Sequence, residues 1–273
     1  MSTPPVPDTN AAYVIDGNNW LHRCHHAMQP QIHKGRNVAA VRGLRDLAQR
    51  IRDQQTPWAV VIVFDGHEAS SQRRALFPEY KQGRPPLPDD LAYQLQLAIE
   101  HLPRYGFPTV AVDNFEADDV IVQLAKDLRA DGHPVFIVSG DKDFAASVSD
   151  ESPAVAIYAK GEAGWATIRE TDVEQKHGVP PRQVLDVRAL AGDSSDAIPG
   201  VKGIGPKIAV DMIKKYGSLD QLLAMPQTLK TPRQQSLIRE NADRIRLYRR
   251  LLEPMKVHHS LIAQGTRAHA GEQ

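Results

Sequence analysis

Four short apolar runs, each ending at an acidic residue, constrain this chain most. Ala11–Ile15 runs into Asp16-Gly17-Asn18-Asn19. Trp58–Phe64 runs into Asp65-Gly66. Thr109–Val112 leads to Asp113-Asn114-Phe115-Glu116, and Pro134–Val138 to Ser139-Gly140-Asp141. Each run is continuous rather than alternating, as in strands buried on both faces. Helical patterns lie between them, at about 37–54, 89–104 and 117–130, with a further helix expected over 20–27. This alternation predicts an α/β core with a parallel sheet covered by helices. In open parallel sheets ligands bind at the carboxyl ends of the strands. Asp16, Asp65, Glu116 and Asp141 are therefore expected on one rim.

More acids join them. Glu116-Ala117-Asp118-Asp119 sits at a strand-to-helix junction, Asp141-Lys142-Asp143 follows the next strand, and Asp193-Ser194-Ser195-Asp196 opens a later segment. A single Asp after a strand is often just a helix cap. Nine such acids meeting would repel one another severely unless cations neutralised them. An all-oxygen set suits Mg²⁺ or Mn²⁺ rather than zinc. Several carboxylates can hold two such ions about 4 Å apart, an arrangement used for phosphoryl chemistry.

After about residue 170 the sequence becomes short-segmented, helical and turn-rich. Its sharpest element is Gly200-Val201-Lys202-Gly203-Ile204-Gly205-Pro206-Lys207. A tight Gly-Ile-Gly turn before a Pro-started helix exposes backbone N–H groups to a phosphate. Lys202 and Lys207 add charge. This pattern is of helix–hairpin–helix type and holds duplex DNA by its backbone rather than by sequence. A second basic stretch, Gln72–Arg84, follows the Asp65 strand end. Arg73, Lys81 and Arg84 are candidate phosphate contacts, Lys81 or Arg84 a stabiliser of transition-state charge, and Tyr80 a stacking platform for an unpaired base.

Composition narrows the remaining classes. At 41% hydrophobic and 24% charged residues the chain is an ordinary globular one. Cys24 is the one cysteine, which excludes an intrachain disulfide and a four-cysteine zinc site and suits a reducing compartment. No stretch approaches ~18 consecutive apolar residues, so no membrane-spanning helix is expected. His22 and His26, four apart, have metal-ligand spacing, but with His25 and His33 they read as surface or packing residues. Ser70-Ser71 and Ser194-Ser195 lack a nucleophile's partners and read as turn or cap residues, and Trp20, Trp58 and Trp165 as packing residues. Residues 1–10 and 258–273 read as a flexible lead and tail, and the Met start and polar tail point to a stand-alone protein.

Taken together, these motifs resemble the 5′-nucleases: the bacterial 5′–3′ exonuclease family, which includes the N-terminal nuclease domain of DNA polymerase I and bacteriophage flap endonucleases. The resemblance rests on Val14-Ile15-Asp16-Gly17, Val63-Phe64-Asp65, Arg73 with Pro78-Glu79-Tyr80-Lys81 and Arg84, Glu116-Ala117-Asp118-Asp119, and Ser139-Gly140-Asp141-Lys142-Asp143-Phe144. It continues through Leu190-Ala191-Gly192-Asp193-Ser194-Ser195-Asp196 into Ile198-Pro199-Gly200-Val201 and Gly203-Ile204-Gly205-Pro206-Lys207. These stand in family order over about residues 13–215.

The resemblance implies a Rossmann-like (PIN-like) nuclease core over 11–170 with a helical arch at about 70–104. It also implies a helix–three-turn–helix DNA-binding subdomain over 171–257. It assigns Asp16, Asp65, Glu116 and Asp118 to a first metal site, and Asp141, Asp143, Asp193 and Asp196 to a second, with Asp119 alongside. Lys81 and Arg84 match the arch cations. A potassium ion is expected on main-chain oxygens of Leu190, Ala191, Pro199, Val201 and Ile204. Two positions depart from the pattern: Ala75, where an acid is common, and Ala197, where Asn is common. The implied function is a structure-specific 5′-nuclease cutting 5′-flap, forked or nicked DNA by a two-metal mechanism in replication and repair. The implied protein is cytoplasmic, bacterial-type and monomeric, with DNA as its partner. A non-catalytic branched-DNA binding module and a PIN-type ribonuclease are the alternatives.

The charge balance fits this reading. Lys+Arg and Asp+Glu each number 33, so the formal net charge is zero. That zero is a sum of opposites. Residues 111–151 carry ten acids against three bases, and residues 200–256 carry twelve bases against five acids.

Overall fold

In the computed structural model, residues 8–161 and 164–270 are described, with the side chains of 267–270 excepted. Residues 1–7 and 271–273 of the expected lead and tail lie outside them. The chain divides into two compact units: 1–72, 85–169 and 255–273 form one, and 73–84 with 170–254 form the other.

The first unit is built on a six-stranded sheet. Its strands are β1 (Ala12–Asp16), β4 (Ala59–Asp65), β5 (Thr109–Val112), β6 (Val135–Val138), β7 (Val155–Gly161) and β8 (Gly164–Ile168), and its helices are α1 (Gly17–Ala27), α2 (Ala39–Gln55), α4 (Asp89–His101), α5 (Ala117–Ala130) and α12 (His259–Ala270). A two-stranded ribbon, β2 (Ile32–His33) and β3 (Arg36–Asn37), joins α1 to α2, and α3 (Ser71–Leu76) lies where the chain leaves the unit. The strand order is β5-β4-β1-β6-β7-β8. All pairs are parallel except β7 with β8.

The continuous apolar runs are explained by two covered faces. Tyr13, Ile15, Ile62, Phe64, Phe136 and Val138 pack with Leu44, Leu47, Ile51 and Leu91 of α2 and α4. The alternate residues of the same strands point the other way, where α5 packs on β1, β4 and β6. α2 buries Ala40, Val41, Leu44, Leu47, Ala48 and Ile51, the helical period made into one apolar face. Each Leu or Ile so buried is worth roughly 1.5–3 kcal/mol.

The chain builds outward from β1 in one direction through β4 and β5, then returns to add β6 on the other side. This reversal is the point at which open sheets form their crevice. The four strands that end near an acid are the four neighbours β5, β4, β1 and β6.

Several elements differ from expectation. Residues 259–270 form α12, which packs on β5, rather than a flexible tail. A Cβ on Gly265 would fall 2.4 Å from the Ala111 carbonyl oxygen, so this glycine is what lets helix and strand approach. Asp8–Asn10 is a turn rather than a loose lead, with Ala11 N–H donating to the Asp8 carbonyl (3.0 Å) and the Asn10 amide to the Gly132 carbonyl (3.1 Å). The expected arch segment is divided. α4 buries Leu91, Gln94 and Ala98 within the first unit, whereas 73–84 belongs to the second. Strands β7 and β8 and the β2–β3 ribbon were not expected. Trp20 and Trp165 stack at 5.3 Å, while Trp58 is 56% exposed and lies flat on His133.

The second unit is helical: α6 (Glu170–His177), α7 (Pro181–Ala191), α8 (Pro206–Tyr216), α9 (Leu219–Ala224), α10 (Pro232–Glu240) and α11 (Ala242–Leu252). α7 packs against both α8 and α11. Asp186 on α7 ties three elements: its carboxylate accepts from the Leu219 N–H (3.0 Å) and pairs with Arg249 of α11 (2.8 Å). Among the described residues no helix is long and apolar enough to cross a membrane.

Candidate metal centre and phosphate cradle

Asp16 closes β1 and caps α1, accepting the Asn19 N–H (3.0 Å) on one oxygen and the Ser139 hydroxyl (2.8 Å) on the other. It is 4% exposed. Burial pushes its carboxyl up to about 7, and the negative charges of Asp65 and Asp141 push the same way against the two hydrogen bonds. Asp65, at the end of β4, is held by Asn18. The Asn18 amide donates to Oδ2 (2.8 Å) and its oxygen accepts the Asp65 N–H (3.0 Å), while Oδ1 accepts the Ala117 N–H (2.7 Å). Asp141, after β6, sends its N–H to the Ser139 hydroxyl (3.0 Å) and accepts the Asp143 N–H (2.9 Å). Buried Ser139 therefore bridges the ends of β1 and β6, and Asn19 also accepts the Gly140 N–H (3.2 Å).

Glu116 caps α5 and takes the Ser70 hydroxyl on Oε1. Its partner in the cap is Asp119, fully buried, whose Oδ2 accepts the Glu116 N–H (3.2 Å) and whose Oδ1 accepts the Met255 N–H (2.7 Å). With both oxygens on backbone donors, Asp119 also positions Glu116, and each oxygen keeps lone-pair capacity for a metal ion. Asp118, half-buried in the first turn of α5, remains a candidate.

Asn18, Asn19, Ser70 and Ser139 are tied by hydrogen bonds to the candidate acids or to the backbone beside them, contacts that sequence reading missed. Their only signal was adjacency to the acids. Among the described residues no three His, Cys, Asp or Glu side chains are already drawn together as a metal cage. The residues nonetheless fit hard cations. All the donors are oxygens, and Asp16 is a buried carboxylate with two like-charged neighbours, a charge set that a divalent ion would relieve.

In the second unit, Asp193 caps the turn 194–196, accepting the Ser195 N–H (2.9 Å) on Oδ1, and its Oδ2 is paired with Arg188 (Nε at 2.9 Å). Asp196 is held by the segment expected as an arch. Arg84 reaches its Oδ1 at 3.2 Å, Lys81 Nζ lies at 4.0 Å, and the Lys81 N–H donates to its carbonyl (3.0 Å). Arg73 and Tyr80 do not face solvent as expected of DNA contacts. Arg73 is 5% exposed and donates to the carbonyls of Leu251 (2.9 Å) and Glu253 (3.1 Å), and Tyr80 is 3% exposed beneath the Arg73 and Lys81 side chains. Their hydrogen bonds and burial tie this segment to α11 and the loop after it.

The Gly-rich turn takes the expected form. Val201 and Ile204 are buried anchors, while Lys202, Gly203, Gly205 and Lys207 are exposed, and Pro206 begins α8. Of the candidate potassium ligands, the Leu190 carbonyl accepts the Val201 N–H (2.8 Å) and the Val201 carbonyl the Ile204 N–H (2.9 Å), each with a second lone pair to spare. Gly192 (φ +87) and Gly200 (φ +66) pack backbone to backbone where no Cβ fits, which closes the loop 192–200.

The 5′–3′ exonuclease N-terminal, resolvase-like domain matches residues 11–178, and the C-terminal SAM fold of the same family matches 179–261. The chain belongs to the 5′–3′ exonuclease family. A 5′–3′ exonuclease of Aquifex aeolicus is 34% identical over 212 residues, 77% of this chain and 71% of that protein. DNA polymerase I of Rhizobium leguminosarum is 34% identical over 249 residues, 88% of this chain but 24% of that protein. The chain thus spans about a quarter of the length of the polymerases it matches. The fold is also that of the bacteriophage T5 flap endonuclease, solved as a pseudo-enzyme-product complex with DNA and metal ions. The TM-score is 0.73 at 20% identity, covering 96% of this chain and 94% of that one. An α/β nuclease unit followed by a helical SAM-like unit is the architecture of this family.

Proposed function

We propose that this member of the 5′–3′ exonuclease family hydrolyses DNA phosphodiesters near 5′ ends, in flap, forked or nicked duplexes, using two Mg²⁺ or Mn²⁺ ions. The observation that carries the reading is the row of acids at the ends of four neighbouring strands, with Asp16 buried and its charge disfavoured by burial and by Asp65 and Asp141. Asp16, Asp65, Glu116, Asp118, Asp119, Asp141 and Asp143 are the candidate ligands of the first unit, and Asp193 and Asp196 those of the second. When bound, such ions generate the attacking hydroxide and stabilise charge on the phosphate.

This chain's own residues do the rest. Asn18, Asn19 and Ser139 orient the carboxylates. Lys202, Lys207 and the turn at Gly203 and Gly205 hold duplex backbone without reading sequence. Lys81 and Arg84 neutralise the scissile phosphate once drawn away from Asp196. A potassium ion on the carbonyls of Leu190, Ala191, Pro199, Val201 and Ile204 would brace the turn. The polymerase relatives support a role in replication and repair, and we read the chain as acting in the cytoplasm as a monomer.

The test is a labelled 5′-flap incubated with Mn²⁺, with products sized, beside the matched RNA flap. DNA cleavage near the junction is expected. Binding without cleavage would return the chain to a branched-DNA binding module, and preferred RNA cleavage to a ribonuclease.

A further inference from the structure

Asp193 and Asp196 differ from Asp16 in how their charge is met. Asp16 is met by an amide N–H and a hydroxyl. Asp193 is met by a guanidinium from the last turn of α7: Arg188 holds Oδ2 through both Nε and Nη2, with side-chain exposures of 12% and 1%. Asp196, also enclosed, is met by Arg84, which also donates to the Ser195 carbonyl (3.3 Å), and by Lys81. A carboxylate enclosed to this degree is costly without a partner.

We propose that Arg188 and Arg84 are built-in counterions of Asp193 and Asp196, so that a divalent ion binding these acids competes with a resident guanidinium. This rests on the metal-ligand reading of the two acids given above. The two arginines divide the task. Arg84 is half-exposed on a turn anchored by a separate backbone bond, Lys81 N–H to the Asp196 carbonyl, so its side chain leaves without the turn undocking. The phosphate of a substrate is the natural competitor for it. Arg188 is enclosed and stays, which holds the affinity of that ion down at all times. The ion at Asp193 and Asp196 is therefore held weakly in the DNA-free chain. Arg188 is a positioning residue in this scheme.

The test is Mn²⁺ titration of the full chain without DNA, with free ion counted by electron paramagnetic resonance. Wild type is expected to show one tight and one weak ion. An opposite charge within about 4–6 Å shifts a carboxylate's proton affinity by one to three decades. Arg188→Gln and Arg84→Gln are therefore expected to tighten the weak ion about tenfold, and Arg188→Lys to stay near wild type. An arginine that served only to brace Asp193 would give the opposite sign, since its loss would loosen the ligand. Unchanged or weakened binding in the Gln variants overturns the proposal. Should Arg188→Gln fail a urea-unfolding check, Arg84→Gln alone decides. Asp193→Asn combined with Asp196→Asn is expected to abolish the weak ion. If that ion persists, the metal reading of the two acids fails and the counterion proposal with it.

Discussion

Asn18 grips Asp65 twice, its amide donating to the carboxylate at 2.8 Å and its oxygen accepting the Asp65 N–H at 3.0 Å, across 47 residues of sequence. The contact fixes both the position of the strand end and the rotation of the carboxylate. Groups that orient a metal ligand are typically worth 10–100-fold in affinity or activity. Asn18→Ala is expected to lower single-turnover cleavage within about that range while leaving the melting temperature close to wild type. Cleavage equal to wild type would show that Asp65 needs no such support.

Arg73 makes a different kind of contribution. Its guanidinium donates to two carbonyls at the end of α11 and is almost fully enclosed. Removing it leaves the buried Leu251 carbonyl without that donor, at about 1–3 kcal/mol for such a group. Arg73→Ala is expected to lower the urea midpoint without weakening duplex binding by the folded fraction. A loss of affinity at unchanged stability would restore Arg73 as a phosphate contact.

Ala197 occupies left-handed backbone at φ +57, immediately after Asp196. Left-handed geometry costs an alanine roughly 1–2 kcal/mol, and Asn tolerates it better. Ala197→Asn is expected to stabilise the chain by about 0.5–1 kcal/mol in urea unfolding. Here the departure from the family pattern acquires a physical meaning: strain without loss of a ligand. A destabilised variant would contradict it.

Proton linkage at Asp16 has a definite sign. Its carboxyl stands near 7 in the folded chain against 3.8 unfolded, so the folded state retains a proton that the unfolded state releases. Stability from this group is full below about pH 4 and is lost as pH rises towards 7. A cation requires the charged form, so binding at this acid expels the proton. Mn²⁺ affinity is therefore expected to climb between pH 6 and 8, and the climb to flatten in Asp16→Asn. An equally steep pH dependence in that variant would assign the proton elsewhere.

Much of the first unit was legible in the sequence because burial on both faces leaves a continuous apolar run, and because a strand end can be marked by its acid. α5 came out over Ala117–Ala130 because its cap and apolar face agree. What was not legible depends on partners far along the chain. Asp119 reads like its neighbour Asp118, and the Met255 N–H that holds its carboxylate lies 136 residues away in sequence. Tyr80 and Arg73 read as exposed because basic stretches usually are, yet both are enclosed. Residues 258–273 read as a loose tail because the Ala111 carbonyl that Gly265 accommodates lies 154 residues away in sequence. Arg188 carries no motif at all, and its role exists only through the carboxylate five residues on.

The central claim is that the strand-end carboxylates carry the chemistry. Its most direct test is cleavage of a labelled 5′-flap in Mn²⁺ by wild type, Asp65→Asn and Asp141→Asn, with flap binding measured in parallel. Wild type is expected to cleave, and both variants to bind the flap yet yield no product. Full cleavage by either variant would contradict the assignment.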